Sequence, residues 1–523
     1  MHYLQEDTID LGQIKIMSTI SCSNVLDEIT PELNQRMNDL LEDVRIGFGQ
    51  RSNAESLLSL SKDLQTELKQ HLISSAQNML PSFNYTLPTG DEEGLFLGVE
   101  VGGSNLWMAL VHLRGKRRRP DSLQVDHQMV FTVDDEVKTL KEYAFFDWLV
   151  DKIKYMLRKA GMNPEKIDAP LRMGVAWSFP IEQTSIRSGN VLGMGKGYYF
   201  SDLVKGATAR LFSPGHDLGH IIAQACERGN LNVRLDAVVN DCSATLLSRA
   251  YLDPSTRLAV ILGTGINAAI HLPAASLGQT KLAGRPNINC ISHVLTNTEF
   301  SMYGKNIFPT TRWDDDLNNH HRLPDYQFFE YLVAGRYMAE IVRLIIVDAT
   351  RTAGLFDGHI PPLLATPYAA ELSTKVLAEM ETDTLCKVRT RLGSFWERNP
   401  PNTYEITCAD AYFVQQTVRH VSSRSIAYVS TGVHALASLL RELEINAGFP
   451  VDDLDHISIG CDGSVINRYP EYMEKAQKII DQMISMQAGK GKRILLEKTC
   501  DSAVTGAAIA AALAGSPEDE EEN

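Results

Sequence analysis
An apolar strand, a glycine turn and a second apolar strand occur twice in this chain. The first unit is Leu95–Val111, through Gly102-Gly103-Ser104-Asn105, and the second is Leu258–Ile270, through Gly263-Thr264-Gly265-Ile266-Asn267. Glycine lets backbone N–H groups come close to an anion, and a Ser or Thr hydroxyl adds a donor. Either unit alone reads as a plain hairpin with a tight turn. The short apolar runs Asp236–Val239, Leu258–Leu262, Ile457–Gly460 and Ile494–Leu496 each end in a polar or glycine turn and alternate with helical stretches. That alternation predicts an α/β protein. Two such units in two halves predict a duplicated nucleotide-binding core with a crevice between.

The remaining stretches are arranged around that core. With 523 residues the chain has room for two large lobes. Residues 1–23 read as a weakly ordered tail, and Pro517–Glu522 as an acidic tail expected to be disordered. From Val25 to Leu80 the pattern is helical, with Leu57, Leu58, Leu60, Leu64 and Leu68 at helix spacing. Pro81 and the Pro88-Thr89-Gly90 turn close it. Phe328–Ile346 and Tyr472–Met483 read as long helices. The run Lys116-Arg117-Arg118-Arg119-Pro120 reads as a solvated hairpin tip, with a nuclear import signal as the alternative. A formal net charge of -15 opposes nonspecific binding to nucleic acid and to anionic membranes. No apolar stretch reaches the roughly 20 residues of a membrane span, and Glu6, Asp7 and Asp10 speak against a signal or transit peptide. The 8 cysteines form no Cys-x-x-Cys, which predicts reduced thiols in the cytosol or nucleus. His320-His321 reads as a loop pair, not a metal site.

From Met79-Leu80-Pro81-Ser82-Phe83, Pro88-Thr89-Gly90 and Glu100-Val101-Gly102-Gly103-Ser104-Asn105 as far as Ala512, the chain resembles the hexokinase family. Trp177-Ser178-Phe179-Pro180 is similar to its Ser-Phe-Pro sugar loop, Gly195-Lys196-Gly197-Tyr198 to its Thr-Lys-Gly-Phe, and Asn240-Asp241 to its Asn-Asp-Thr. Gly263-Thr264-Gly265-Ile266-Asn267 matches the Gly-Thr-Gly-x-Asn turn. Asn297-Thr298-Glu299 and Gln327-Phe328-Phe329-Glu330 match the two glutamate motifs, and Asp462-Gly463-Ser464-Val465 and Gly506-Ala507-Ala508 the C-terminal nucleotide motifs. The resemblance implies a two-lobed actin-like ATPase (ribonuclease H-like) sugar kinase fold with a central cleft that closes over sugar and ATP with Mg2+. It implies an N-terminal region over 24–249 holding a small lobe at about 94–240, a large-lobe region over 250–515, and the tail 516–523.

The implied chemistry is self-consistent. Phosphorylating a sugar hydroxyl needs a base for its proton, polar groups for the other hydroxyls, and cations or N–H groups for the phosphates. Asp241, at the end of an apolar strand, is the implied base, although a residue there also suits a helix N-cap. Ser178, Lys196, Asn240, Asn267, Glu299 and Glu330 are the implied sugar contacts, since amides and carboxylates pair well with hydroxyls. Gly102, Gly103, Ser104, Asn105, Gly263, Thr264, Gly265, Asp462, Gly463 and Ser464 are the implied nucleotide contacts. Magnesium would arrive on ATP, near Glu100.

The sugar side keeps the family's residues apart from Gly195, which replaces a threonine. The nucleotide side departs: Glu100 replaces Asp, Trp107 replaces a phosphate-directed Arg, Cys242 replaces Thr, and Asp501-Ser502-Ala503-Val504 fills a loop the family builds as Asp-Gly-Ser-Gly. An indole cannot replace a guanidinium at a phosphate. Trp177, Lys196-Gly197-Tyr198, Glu299-Phe300-Ser301 and Ala334-Gly335-Arg336-Tyr337 are similar to the fungal hexokinase-type N-acetylglucosamine kinases, which keep that Arg. Two expectations follow. One is a 6-kinase for a hexose, with N-acetylglucosamine favoured because Gly195 and the missing Trp after Glu299 leave room at the sugar's C2. The other is a catalytically impaired sugar-binding regulator of carbon-source response that signals through a protein partner. The small-molecule sugar is the expected partner in both.

Overall fold
The computed structural model describes residues 31–118, 121–140, 143–166, 169–179, 181–191, 217–283, 285, 290–369, 372–396, 404–449, 456–487 and 493–515. The two hairpins foreseen in the sequence lie in two different sheets. Strands β1 (Leu80–Pro81), β2 (Glu93–Val101), β3 (Asn105–Arg114), β4 (Leu123–Thr132), β5 (Leu171–Trp177), β6 (Ile181–Gln183), β7 (Gly189–Val191) and β8 (Val233–Asn240) come first. They are followed by β9 (Thr256–Leu262), β10 (Ile266–Pro273), β11 (His293–Asn297), β12 (His456–Asp462) and β13 (Arg493–Lys498). One sheet runs β4-β3-β2-β5-β8 and the other β1-β11-β10-β9-β12-β13, with β6 and β7 as a separate ribbon. The hairpins β2–β3 and β9–β10 are antiparallel, whereas β2, β5 and β8 run parallel, as do β9, β12 and β13.

Alternation along β2 and β3 separates two cores. Leu97, Val99, Val101, Leu106, Met108 and Leu110 face one core; Phe96, Ala109, Val111 and Leu113 face the other. The first is shared with helices α3 (Tyr143–Lys159) and α4 (Leu218–Arg228). The second lies between the two sheets. It is filled by α5 (Asp241–Leu252) and by the alanine-rich α10 (Ser502–Leu513), and it reaches Ala259, Ala269 and Leu295 of the six-stranded sheet. The fit is backbone-close. A Cβ on Gly98 would overlap the Val504 carbonyl oxygen, one on Gly174 that of Ala507, and one on Gly506 that of Ala244. Only glycine allows such approaches.

The six-stranded sheet is covered by α1 (Gln35–Gly49), α2 (Ala54–Ser74), α7 (Gly335–Thr352), α8 (Cys408–Asn446) and α9 (Tyr472–Ser485). The 25–80 stretch is thus two helices in its described part, capped by the side chains of Asn34 and Asn53. Its end is Ser74, not Pro81, because Leu80-Pro81 pairs with Asn297 and Thr296 as a strand. The Phe328–Ile346 helix is also two: α6 (Phe328–Val333) and α7, broken at Ala334 (φ -80, ψ 153). The cause is tertiary. The Gly335 N–H donates to the Gly263 carbonyl at 2.9 Å, which takes the chain out of helical conformation to bind the second glycine turn. Lys116–Arg118 form a short 3-10 turn in the link of the antiparallel β3–β4 hairpin, with Lys116 and Arg117 exposed, as expected of a hairpin tip, and Lys116 pairs with Asp91 at 2.6 Å. No described helix is long and apolar enough to cross a membrane, and the described cysteines are free thiols. Residues 1–23, Lys196 with its neighbours, Pro180 and the acidic tail lie outside the described residues.

Candidate active site
Register brings three segments together at one edge. Val101 of β2 lies opposite Trp177 of β5, and Trp177 opposite Asn240 of β8. The turn from Gly102, the loop from Ser178 and the helix from Asp241 therefore leave the carboxyl ends of three neighbouring parallel strands side by side, where α/β sheets hold ligands. The Ser178 N–H donates to the Val101 carbonyl at 3.2 Å. The Asn240 side chain caps α5, accepting from the Cys242 N–H at 3.0 Å, and Asp241 is the first residue of the helix. The capping role foreseen for Asp241 thus belongs to Asn240. Asp241 is half-buried, at the positive end of the helix, where a carboxylate is favoured. The Cys242 thiol is fully buried, which pushes it well above its ordinary pKa; the Asp241 and Glu299 carboxylates raise it further, against backbone hydrogen bonds at Ile261 and Ala269 that lower it.

Glu299 follows β11 of the other sheet, and its charge, like that of Asp241, acts on the Cys242 thiol, so the two edges lie in one neighbourhood. Asn267, in β10, donates from Nδ2 to Asn297 Oδ1 at 3.0 Å and accepts from the Phe300 N–H at 3.1 Å. Asn297 Nδ2 donates in turn to Glu299 Oε1 at 2.9 Å. Glu299 takes a left-handed backbone conformation (φ 50), which turns it out of the strand end. The Glu330 carboxylate sits under the second glycine turn, where Oε2 accepts from the Ile266 N–H at 3.0 Å. A Cβ on Gly265 would overlap that carboxylate. Asn267 and Glu299 are therefore linked through Asn297, and Glu330 is held by the N–H of Ile266, next to Asn267 in sequence. Asn297 is a link in this chain that the sequence did not single out as a contact; its motif with Glu299 was the available signal. Phe300, where extra room for a sugar substituent was expected, is buried among Phe329, Tyr303 and Gly432. It points into the core and opens no space at the site.

The second turn also borders a cavity. Asp462 of β12 pairs with Ile261 of β9, so the Gly463-Ser464 turn leaves the sheet next to Gly263-Thr264. Thr264 and Ser464 line a cavity of about 260 Å³ with Gly335, Arg336, Tyr368 and Thr374. Arg336, Tyr368 and Thr374 were not picked out from sequence as site residues. The available hints were the glycine within an otherwise helical pattern at Gly335 and the resemblance carried by Ala334-Gly335-Arg336-Tyr337. Asp462 itself is turned elsewhere. It accepts from the Gly463 N–H at 2.7 Å, from the Ser502 N–H at 3.2 Å, and from the Ser502 hydroxyl. Burial raises its pKa, against the lowering effect of those donors. Ser502, the first of the side chains that fill the altered loop, thus ties Asp462 to the start of α10. On the other sheet, Trp107 is the cross-strand partner of Glu100, half-buried at the margin of the core between the sheets. The Glu100 carboxylate folds to the first turn, where a Cβ on Gly102 would lie 3.8 Å from its Oε1. Among the described residues no group of His, Cys, Asp and Glu converges to hold a metal.

Two family models described as hexokinase match the chain, one over residues 49–251 and the other over 257–513. The hexokinase of Kluyveromyces lactis is 25% identical over 474 residues, covering 88% of this chain and 89% of that protein. Hexokinase-1 of Bos taurus is 27% identical over 442 residues, 83% of this chain but 44% of the relative, so the chain spans less than half the length of such mammalian relatives. Among solved structures, the hexokinase from Schistosoma mansoni complexed with glucose superposes with a TM-score of 0.74 at 23% identity, covering 91% of this chain and 99% of that one. That likeness is one of fold.

Proposed function
The chain belongs to the hexokinase family, and from that premise we propose that it binds a hexose or N-acetylhexosamine and phosphorylates the 6-hydroxyl with ATP, N-acetylglucosamine being favoured over glucose. The observation that carries the reading is the linked set Asn267–Asn297–Glu299, with Glu330 beneath the adjoining turn, opposite Asp241 at the start of α5. Asp241 accepts the proton of the reacting hydroxyl. Asn240, Asn267, Glu299 and Glu330 hold the other hydroxyls, with Ser178 and Lys196 completing the set.

The residues present fit a nucleotide. The Gly263-Thr264-Gly265 turn, the Ser464 hydroxyl and the adjoining 260 Å³ cavity offer backbone N–H groups, hydroxyls and room for a nucleoside. ATP would supply the phosphoryl group and carry Mg2+, with Glu100 the carboxylate nearest the first turn. The preference for N-acetylglucosamine rests on Gly195, since Phe300 contributes no room.

A second reading, a sugar-binding regulator with impaired catalysis and a protein partner, is favoured by two observations. Trp107 stands where the family directs an Arg at phosphate, and Ser502 ties one oxygen of Asp462 to the start of α10. An arginine at a transferring phosphoryl group is worth about 10³ or more in rate, so turnover is expected to be slow even if the crevice is complete. A coupled assay with ATP and either glucose or N-acetylglucosamine tests the proposal. Turnover with higher kcat/KM on N-acetylglucosamine supports it; sugar binding with background turnover on both moves the assignment to the regulator; higher efficiency on glucose removes the stated preference.

A further inference from the structure
We propose that Lys281 is a positioning residue of the sugar site: its ammonium clamps the Asn78-Met79 segment and, through it, holds the turn that carries Glu299. This rests on the sugar reading of Glu299 and adds to it the support on which that reading depends.

Between the end of α2 at Ser74 and the start of β1 at Leu80, the chain turns against the Glu299 turn. Asn78 and Met79 are both buried. Met79 takes a left-handed backbone (φ 51), as Glu299 does (φ 50). Neither residue type favours that conformation, so it persists only where neighbours hold it. The Met79 N–H donates to the Thr298 carbonyl at 3.2 Å, and Asn78 Nδ2 donates to the Glu299 carbonyl at 3.4 Å. The Ser75 hydroxyl donates to Asn78 Oδ1 at 2.9 Å, which fixes the way the amide faces. The carbonyls on both sides of the Glu299 N–H are thus held by two consecutive residues.

Lys281 holds those two residues in turn. It ends the 3-10 turn Gln279–Lys281, which is seated on α2 by the Gly278 N–H at 3.0 Å from the Leu72 carbonyl. Its Nζ donates to the Asn78 carbonyl at 2.5 Å and to the Met79 carbonyl at 2.9 Å. Arg285 continues the clamp, donating to the Pro81 carbonyl at 2.7 Å and to the Ser82 carbonyl. The Asn78 carbonyl and the Met79 N–H belong to one peptide unit. A cation at the carbonyl end strengthens the donor at the other end, which faces Thr298. Burial is the cause that lowers the Lys281 pKa, to about 8. The ionisable groups around it are Glu67 and His71 on α2, Tyr303 and Glu299 at the Glu299 turn, and Tyr85 and Arg285 beside the clamp; none of them contributes to that lowering. The ammonium is therefore lost as pH rises through about 8, and a neutral amine is the weaker donor.

The test is calorimetric titration with N-acetylglucosamine and glucose, and separately with ATP, of wild type, Lys281→Met and Lys281→Arg at pH 7 and pH 9, with melting temperatures beside it. Lys281→Met keeps the buried stem and removes the donors. It should bind sugar about tenfold more weakly at pH 7, with the same affinity at pH 9 and with ATP affinity unchanged. Wild type should lose about threefold or more in sugar affinity between pH 7 and pH 9. Lys281→Arg, which stays charged, should keep its affinity across that range. If Lys281→Met does not fold, the two pH profiles decide: a wild-type fall that persists in Lys281→Arg overturns the proposal. Unchanged sugar affinity in folded Lys281→Met overturns it too, as does an equal weakening of ATP, which would make the clamp a general support of the fold. A wild type that binds neither sugar would overturn the sugar reading and the proposal together.

Discussion

The two glycine turns share a sequence pattern and differ in how the protein holds them. The turn at Gly263 is fastened from three directions: the Glu330 carboxylate caps Ile266 from below, the start of α7 binds the Gly263 and Thr264 carbonyls, and Ser464 lies alongside. The turn at Gly102 is closed by its own hairpin bond, Gly102 N–H to Asn105 carbonyl at 3.0 Å, and by Val133 N–H to Ser104 carbonyl at 2.9 Å. Beside it stands Trp107 in place of a cation. The difference teaches that a glycine-rich hairpin states only a backbone shape. What the shape does is decided by side chains brought to it from distant sequence, and these are abundant at the Gly263 turn and altered at the Gly102 turn.

The largest effect should come from the residue between the turns. Asp241→Ala should lower turnover by about 10² to 10⁴ while hexose affinity stays within about tenfold, because a base acts in the transition state. Steady-state kinetics with sugar titration will show it, and unchanged turnover would leave Asp241 with a structural task only.

Gly506→Val attacks what keeps the two turns in one crevice. Its side chain would collide with the Ala244 backbone where α10 crosses α5, and a cost of about 3 kcal/mol or more is expected. Chemical denaturation measures it. Loss of sugar and nucleotide binding together is the expected accompaniment; a variant as stable as wild type would show that the helices do not need their close approach.

Acid should separate the regions by stability. His271, buried against the six-stranded sheet, has its pKa lowered to about 3, and His434, on α8, to about 4, both chiefly by burial. A folded pKa below the unfolded value of 6.5 means that the unfolded chain binds the proton first. This contribution to stability is therefore complete above about pH 6.5 and is lost as pH falls toward the folded values, roughly 2.5 kcal/mol for each histidine by about pH 4.5. Hydrogen exchange at pH 7 and pH 4.5 should show the six-stranded region loosening before the five-stranded one; the reverse order would contradict this.

The smallest predicted change is the sharpest for the comparison. Trp107→Arg should raise turnover about tenfold, which needs only about 1.4 kcal/mol off the barrier, provided its melting temperature is kept. A flat rate in a folded variant would place the deficit in the wider surroundings, with Asp462 and Ser502.

Much of this was legible in the chain itself. The strand runs and both hairpins follow from short apolar runs that end in polar or glycine turns. Asp241, Asn267, Glu299 and Glu330 were reachable through the motifs that carry the family resemblance; Glu330, inside α6, has no strand or turn end to mark it. The failures were tertiary. The residues of α6 and α7 satisfy helical periodicity, and only a carbonyl from another element, that of Gly263, breaks them at Ala334. Phe300 replaces a Trp in a motif, but which way its ring points depends on Phe329 and Gly432, far along the chain. Ser502 looked like an obstruction and is a hydrogen-bond donor to Asp462.

The central claim is that the sugar-facing half of the crevice is complete in its own right. Calorimetric titration of the protein with N-acetylglucosamine and glucose, without nucleotide, tests this most directly. Saturable binding of at least one of them, abolished or weakened about tenfold or more in Asn267→Ala through loss of its amide contacts, is the predicted result. No detectable binding of either sugar, or of any hexose or hexosamine, to a folded protein would contradict it.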